Sequence, residues 1–182
     1  MLVAATAPML RSRAGLRLEL ANLERLVRGL AKDDPVCRVL MTMPGIGAVV
    51  ALTFKSAVDD PSRFRSSRRV GPWVGLTPSR HQSGERDVIG GITKAGDVNL
   101  RRALCQAAPR SHRLQANDCR AVVMLHRGRP SWLRTWAARV AKRRGNKRAM
   151  VALARRIGVV LHRMWRDGTE FNHSIPPIAG GI

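Results

Sequence analysis

The side chains with the clearest chemical potential stand in one polar stretch. Ser83 lies between Gln82 and Gly84, with Arg80, Arg86 and Lys94 close by in the chain. A serine hydroxyl can attack a phosphodiester when cations stabilise the charge that develops on the phosphoryl oxygens. His81, two residues earlier, offers an imidazole base, although a partner so near in sequence rarely reaches the required geometry. Serines in loops are common, so this chemistry alone leaves Ser83 one candidate among ordinary loop residues. The five histidines show no HExxH or comparable ligand spacing, and no metal is assigned to this chain's own residues. Cys37, Cys105 and Cys119 match neither a disulfide framework nor a CxxC site and read as buried thiols.

What surrounds the serine is charge. The chain carries 33 Lys+Arg against 12 Asp+Glu, a formal +21 on 182 residues. Residues 1–60 hold 8 basic and 6 acidic side chains, whereas 61–182 hold 25 and 6. The excess is therefore confined to the last two-thirds, where it calls for a polyanion. Arg supplies 28 of the 33 cations, and its planar fork pairs with phosphate oxygens and guanine edges better than an ammonium does. Binding through phosphates releases counterions and weakens steeply with salt. A solvated basic surface or a membrane-surface protein is the plainer alternative. No stretch approaches the ~18 apolar residues of a spanning helix. The N-terminus lacks the basic n-region of a signal peptide, so the reading is a cytoplasmic protein without a membrane partner. Aromatic residues make up 4% with no Tyr, which argues against base stacking as the main binding mode. Trp132 and Trp136, four apart near Arg139 and Arg143, favour core packing over stacking. Lys142, Arg143, Arg144, Lys147 and Arg148 crowd five cations around one turn, either a solvated helix end or a phosphate contact.

These groups need elements to position them. Leu16, Leu20, Leu23, Val27 and Leu30 alternate spacings of 4 and 3, either the tail of a coiled coil or an ordinary amphipathic helix. Asp34-Pro35 is an N-cap followed by Pro at N1, which starts a short helix to about Met41. Pro44-Gly45-Ile46-Gly47 breaks it, and AVVALTFKSAV continues as an apolar helix. Helix, PGIG turn, helix is the order of a helix-hairpin-helix, where Gly45 and Gly47 would let backbone N–H groups approach a phosphate; a purely structural turn fits as well. Asp60 and Ser66 offer caps for short helical turns within 62–73. Residues 75–96 are rich in Gly, Ser and Thr without helical periodicity and read as a long irregular segment, of the kind that is functional or disordered. Asp97 caps a helix starting VNLRRALCQAA, Pro109 ends or kinks it, and Asn117 or Asp118 starts another. Two last helices are expected at about 131–144 and 147–166. The fold class is mainly α, a compact helical domain preceded by a short coiled-coil-like helix. The boundaries are 1–34 for that helix, 35–171 for the helical domain and 172–182 for a flexible tail.

In this order, MPGIG, DDPSRF, GPWVGLTPSRHQSG, GGITKAGDVNLRRAL, PSWLRTWAARVAKRRGNKRAMVALARRI and MWRDGTEF resemble the carboxy-terminal half of the insertion-sequence 110/116/902 transposases. The resemblance implies a DNA recombinase of mobile elements. Such proteins have an acidic, magnesium-binding resolvase-like domain, a coiled coil, and a helical domain with a nucleophilic serine, and are directed to DNA by a structured RNA. It implies that Ser83 forms a transient phosphoserine link to a cut strand, and that Arg80, Arg86, Lys94 and Arg101 hold phosphates. Gly45, Gly47, Arg143, Arg144, Lys147 and Arg148 complete the expected nucleic-acid contacts.

Three departures limit what carries over. The acidic domain is missing, with only Glu19 and Glu24 before Asp33, so magnesium is expected only where that domain is supplied. Glu85-Arg86 replaces the family's Gly-Lys. PRSHRLQANDCR, at about 109–120, interrupts a helix that in the family runs on, as an insertion or a frameshift would. The expectation is a truncated transposase that binds DNA and does not act alone. Its partners would be element ends, target DNA, a guide RNA, and a second copy or full-length transposase held through residues 16–30. The alternatives are a non-catalytic nucleic-acid-binding protein and an inactive remnant.

Overall fold

The computed structural model describes residues 2–83, 86–108 and 131–174, with side chains for all of these except 2–5 and 81–89. The expectation of a mainly α fold holds, with seven α-helices and one two-stranded sheet among the described residues.

Helix α1 runs Leu2–Asp33 and passes through Pro8. It is longer than the leucine spacing suggests, because a proline near a helix start disturbs only the opening turns. Leu16, Leu20, Leu23 and Leu30 are exposed, as are Leu18 and Leu26. Only the end of α1 joins the body, where Ala31 is buried and α1 meets α2 and α3.

Helix α2 (Pro35–Met41) begins as expected, with the Asp34 carboxylate accepting from the Cys37 N–H at 2.9 Å and Pro35 in the first turn. The PGIG turn follows, with Gly45 at φ +88°, and sinks Met43 and Ile46 into the core. Helix α3 (Ala48–Val58) buries Val50, Ala51, Phe54 and Val58. Its Lys55 ammonium donates to the second Asp34 oxygen, which ties α3 to the start of α2. That hydrogen bond holds the Asp34 carboxyl below its ordinary pKa and raises that of Lys55. Beside it the buried Cys37 thiol is pushed up to about 11 by desolvation, so it stays protonated and inert at neutral pH.

Asp60 caps a 3-10 turn at Pro61–Arg63, Ser66 caps another at Ser67–Arg69, and the short helix α4 (Val70–Trp73) follows. The irregular segment expected over 75–96 is instead a β-hairpin. Strand β1 (Pro78–Ser83) pairs antiparallel with β2 (Arg86–Ile92), with an irregularity between Pro78 and Arg80. Neither strand alternates apolar and polar residues, and the contacts of the two strands are chiefly with each other. Helix α5 (Val98–Ala107) starts from Asp97, whose carboxylate accepts from Leu100 N–H at 2.5 Å. The break expected at Pro109, the helix expected from Asn117 or Asp118, and the interruption at 109–120 lie outside the described residues.

Helices α6 (Trp132–Arg144) and α7 (Asn146–Asp167) meet at Gly145, whose φ of +80° suits a residue without Cβ. One face of α7 buries Leu153, Ile157, Leu161 and Met164 against Leu40, Phe54, Val70, Val74, Leu76, Leu100 and Leu104 in one core. At Gly158 the packing is tight: an added Cβ would lie 3.3 Å from Leu104 Cδ1 and 3.5 Å from Val70 Cγ1. After α7 the chain turns back. Phe171 N–H donates to Thr42 Oγ1 at 2.9 Å and its ring stacks on Trp132, whose indole N–H donates to Asn172 O. Residues 172–174, expected in the tail, thus lie against α6, and the rest of that tail is outside the described residues.

Candidate nucleic-acid interface

Ser83 is the last residue of β1 and pairs in register with Arg86, the first of β2, at the end of the hairpin where the two strands join. Arg80 pairs with Ile89, and its side chain is exposed. The side chains of Ser83 and Arg86 are outside the described set, so their placement rests on the backbone register. His81 pairs with Val88 on the same strand as Ser83.

The root of the hairpin is built with unusual closeness. Gly75 (φ +77°) and Gly96 (φ +76°) lie on its two legs, and a Cβ on either would overlap backbone of the opposite leg, at Ala95 and at Trp73 respectively. Only glycine permits both the left-handed backbone and that approach. Lys94 adopts φ +56°, and its N–H donates to Gly75 O at 3.2 Å, while Thr93 N–H donates to Thr77 O at 2.9 Å. Arg101, on the first turn of α5, sends Nη1 to both Val74 O and Ala95 O, each at 2.9 Å. One of its nitrogens therefore serves protein carbonyls on both legs. Lys94 keeps an exposed side chain at the same root.

A second basic feature lies elsewhere in the chain. Arg143, Arg144, Lys147 and Arg148 are all exposed around Gly145, with Lys142 beside them. No described hydrogen bond or ion pair joins them to the hairpin, so the expected contacts fall into separate groups. Gly45 and Gly47 form a third. Gly47 is the N-cap of α3 and makes no side-chain cap bond, which leaves the first-turn amides of α3 without a side-chain acceptor.

Two arrangements escape sequence reasoning. His162, on α7, is fully buried. Its Nε2 lies 3.0 Å from Pro61 O, a pure acceptor, so Nε2 carries the proton and Nδ1 accepts from the Ser67 hydroxyl at 2.9 Å. Burial lowers its pKa and keeps the ring neutral. The pair resembles a nucleophile and its base, but Ser67 is 8% exposed and the Phe64 ring packs edge-on against His162. It is a staple between the capped turns and α7. Nothing in the local sequence pairs residues 95 positions apart. The second is Arg156, whose guanidinium sits 5.1 Å from the Trp132 ring and 4.5 Å from that of Trp136. Both indoles are half-buried in this packing, as their helical spacing predicts, and desolvation lowers the Arg156 pKa.

Among the described residues no three His, Cys, Asp or Glu side chains converge, so they do not fit a magnesium site. No described helix is long and apolar enough to cross a membrane.

Comparison with known proteins finds transposases. The chain is 31% identical over 135 residues to the transposase for insertion sequence element IS1111A of Coxiella burnetii, covering 74% of this chain and 34% of that protein. It is 36% identical over 90 residues to the transposase for IS1328 of Yersinia enterocolitica, covering 50% and 27%. A probable family 20 transposase of Pseudomonas aeruginosa is 29% identical over 146 residues, covering 80% and 40%. The chain thus spans between about a quarter and two-fifths of the length of these relatives. Residues 37–123 match the model of the transposase IS116/IS110/IS902 family, from α2 through the hairpin and beyond α5.

Proposed function

We propose that this chain binds DNA through the cations of its last two-thirds and that Ser83 is the nucleophile on a DNA phosphodiester in insertion-sequence transposition. The observation that carries the reading is the position of Ser83: the end of strand β1, in register with Arg86 and three residues after Arg80, in a chain similar to transposases. In the step itself, Ser83 Oγ forms a bond to phosphorus and one P–O ester bond breaks. The serine proton passes to a base and the departing oxygen gains one. The ester is exchanged rather than hydrolysed, so the strand can be rejoined without an energy source. An acidic, magnesium-binding domain of the kind the resemblance implies would supply the activation of this step.

The basic turn around Gly145 and the uncapped amides of α3 would take phosphates, the latter through backbone N–H groups at a helix start. DNA at element ends and target is the expected partner, with a guide RNA as a second. The exposed leucines of α1 would meet a second copy or a full-length transposase. Such a protein would work in the bacterial cytoplasm, at the nucleoid. The test is complementation. With the acidic domain supplied as a separate polypeptide, wild type should support recombination and Ser83→Ala should not; equal recombination by both would remove Ser83 from the chemistry. A second reading, a non-catalytic binder that occupies element ends, is favoured by the exposed cations of 142–148, which need no metal to hold phosphate. It predicts unchanged DNA affinity in Ser83→Ala and no recombination with either protein.

A further inference from the structure

The sequence presents Arg101 as one more cation for phosphate, yet its guanidinium is engaged with the fold. Nη1 lies 2.9 Å from the carbonyl oxygens of Val74 and Ala95, which belong to the two legs of the hairpin on either side of the Gly75 and Gly96 crossing. Arg101 itself is one turn into α5, whose neighbouring Leu100 and Leu104 are fully buried. A line of fixed groups therefore runs from the core, through α5 and Arg101, to both legs, and out along paired strands to Ser83.

The hairpin's direction is set at its root, where Leu76 is buried and Ile92 packs against the core. Its strands pack chiefly on each other, and its far residues gain orientation only from the root. At that root the backbone is already constrained by Lys94 N–H to Gly75 O and Thr93 N–H to Thr77 O. Those bonds close the ladder but do not fix its angle to the helices. The first leg is tied to α4 by Leu76 N–H to Gly71 O at 3.0 Å and by the buried Leu76 side chain, and Arg101 adds a tie from α5 that reaches both legs at once. Nη1 presents two N–H groups fixed in the guanidinium plane to these two acceptors, whereas an ammonium on a lysine stem rotates freely.

We infer that Arg101 is a positioning residue: it aims the hairpin and so sets where Ser83 stands relative to DNA held by the rest of the domain. This rests on the reading of Ser83 as the nucleophile. Its chemistry is indirect, since misplacement of a reacting group by about 1 Å can cost about 100-fold in rate while binding survives.

The experiment uses the full chain with the acidic domain added in trans, as wild type, Ser83→Ala, Arg101→Met and Arg101→Lys. Four quantities are read: melting temperature, hydrogen exchange at the Thr93 and Lys94 amides, the salt dependence of DNA binding, and covalent protein–DNA adduct at saturating DNA. For Arg101→Met the expected result is exchange faster by about tenfold or more at the root, with the salt slope of DNA binding unchanged. Adduct should fall at least about tenfold even when DNA saturates the protein. Arg101→Lys keeps charge and stem, folds if the methionine variant does not, and should fall between the two in exchange and adduct. A salt slope reduced by about one with wild-type exchange identifies a phosphate ligand and overturns the inference. Wild-type adduct from a loosened hairpin also overturns it. If instead Ser83→Ala keeps the adduct, or wild type forms none, the nucleophile reading fails, and the exchange data still report whether Arg101 holds the hairpin.

Discussion

The Ser67 hydroxyl and the His162 ring meet at 2.9 Å inside the core, with the far side of the imidazole on the Pro61 carbonyl. The bond joins the capped turns before α4 to the middle of α7. Replacing His162 with Ala should leave both partners unsatisfied and open a cavity, at a cost of about 2–4 kcal/mol, measured by urea unfolding.

The same histidine gives a pH signature. Its folded pKa lies below the ordinary 6.5 because burial disfavours the charged ring, so the unfolded chain takes up the proton first. The stability it supplies is complete above about pH 6.5 and declines as pH falls through the interval down to its folded pKa. The gap in unfolding free energy between wild type and His162→Gln should therefore narrow below that pH. A gap that stays constant from about pH 7.5 to about pH 5 would show that the ring does not titrate differently in the two states.

At the start of α2, Asp34 caps the helix and pairs with Lys55. Asp34→Ala removes both and should cost about 1–2 kcal/mol. Asp34→Asn keeps the cap acceptor and should cost less, since a partly exposed ion pair contributes under about 1 kcal/mol. The depressed carboxyl contributes above its ordinary value of 3.8 and is lost as pH falls below that. Chemical denaturation of both variants at neutral pH tests the order, and a costlier Asn variant would reverse it.

Arg156 between Trp132 and Trp136 predicts that Arg156→Met lowers stability by about 0.5–2 kcal/mol and changes tryptophan emission. Trp136→Phe should leave DNA affinity unchanged, because the indole faces Arg156 rather than solvent. A several-fold loss of affinity in Trp136→Phe would move these rings from packing to base stacking.

Helix starts were legible wherever a side chain caps them, because the signal is local: Asp34 before Pro35, Ser66, and Asp97 all cap as their types predict. The hairpin was not. Without alternation of apolar and polar residues, the run from Pro78 to Ile92 reads as loop. The site was legible only in part. Residue type marked Arg101 as a cation, but two carbonyl acceptors decide what it does. Ser67 and His162 meet through the core, where sequence spacing carries no information.

For binding, the turn around Gly145 is the simplest probe. Changing Arg143, Arg144, Lys147 and Arg148 to Gln should reduce the slope of log affinity against log salt by about 0.9 for each phosphate that is no longer neutralised. The effect should be uniform across DNA sequences. An unchanged slope would leave these cations as a solvated helix junction.

The central claim is a bond between Ser83 and DNA. With the acidic domain and magnesium present, the chain should be incubated with labelled element-end DNA, quenched in denaturant and digested for mass spectrometry. The account predicts a nucleotide phosphate on the peptide containing Ser83, absent in Ser83→Ala. Recombination that proceeds with no adduct at Ser83, or with the phosphate on another residue, would contradict it.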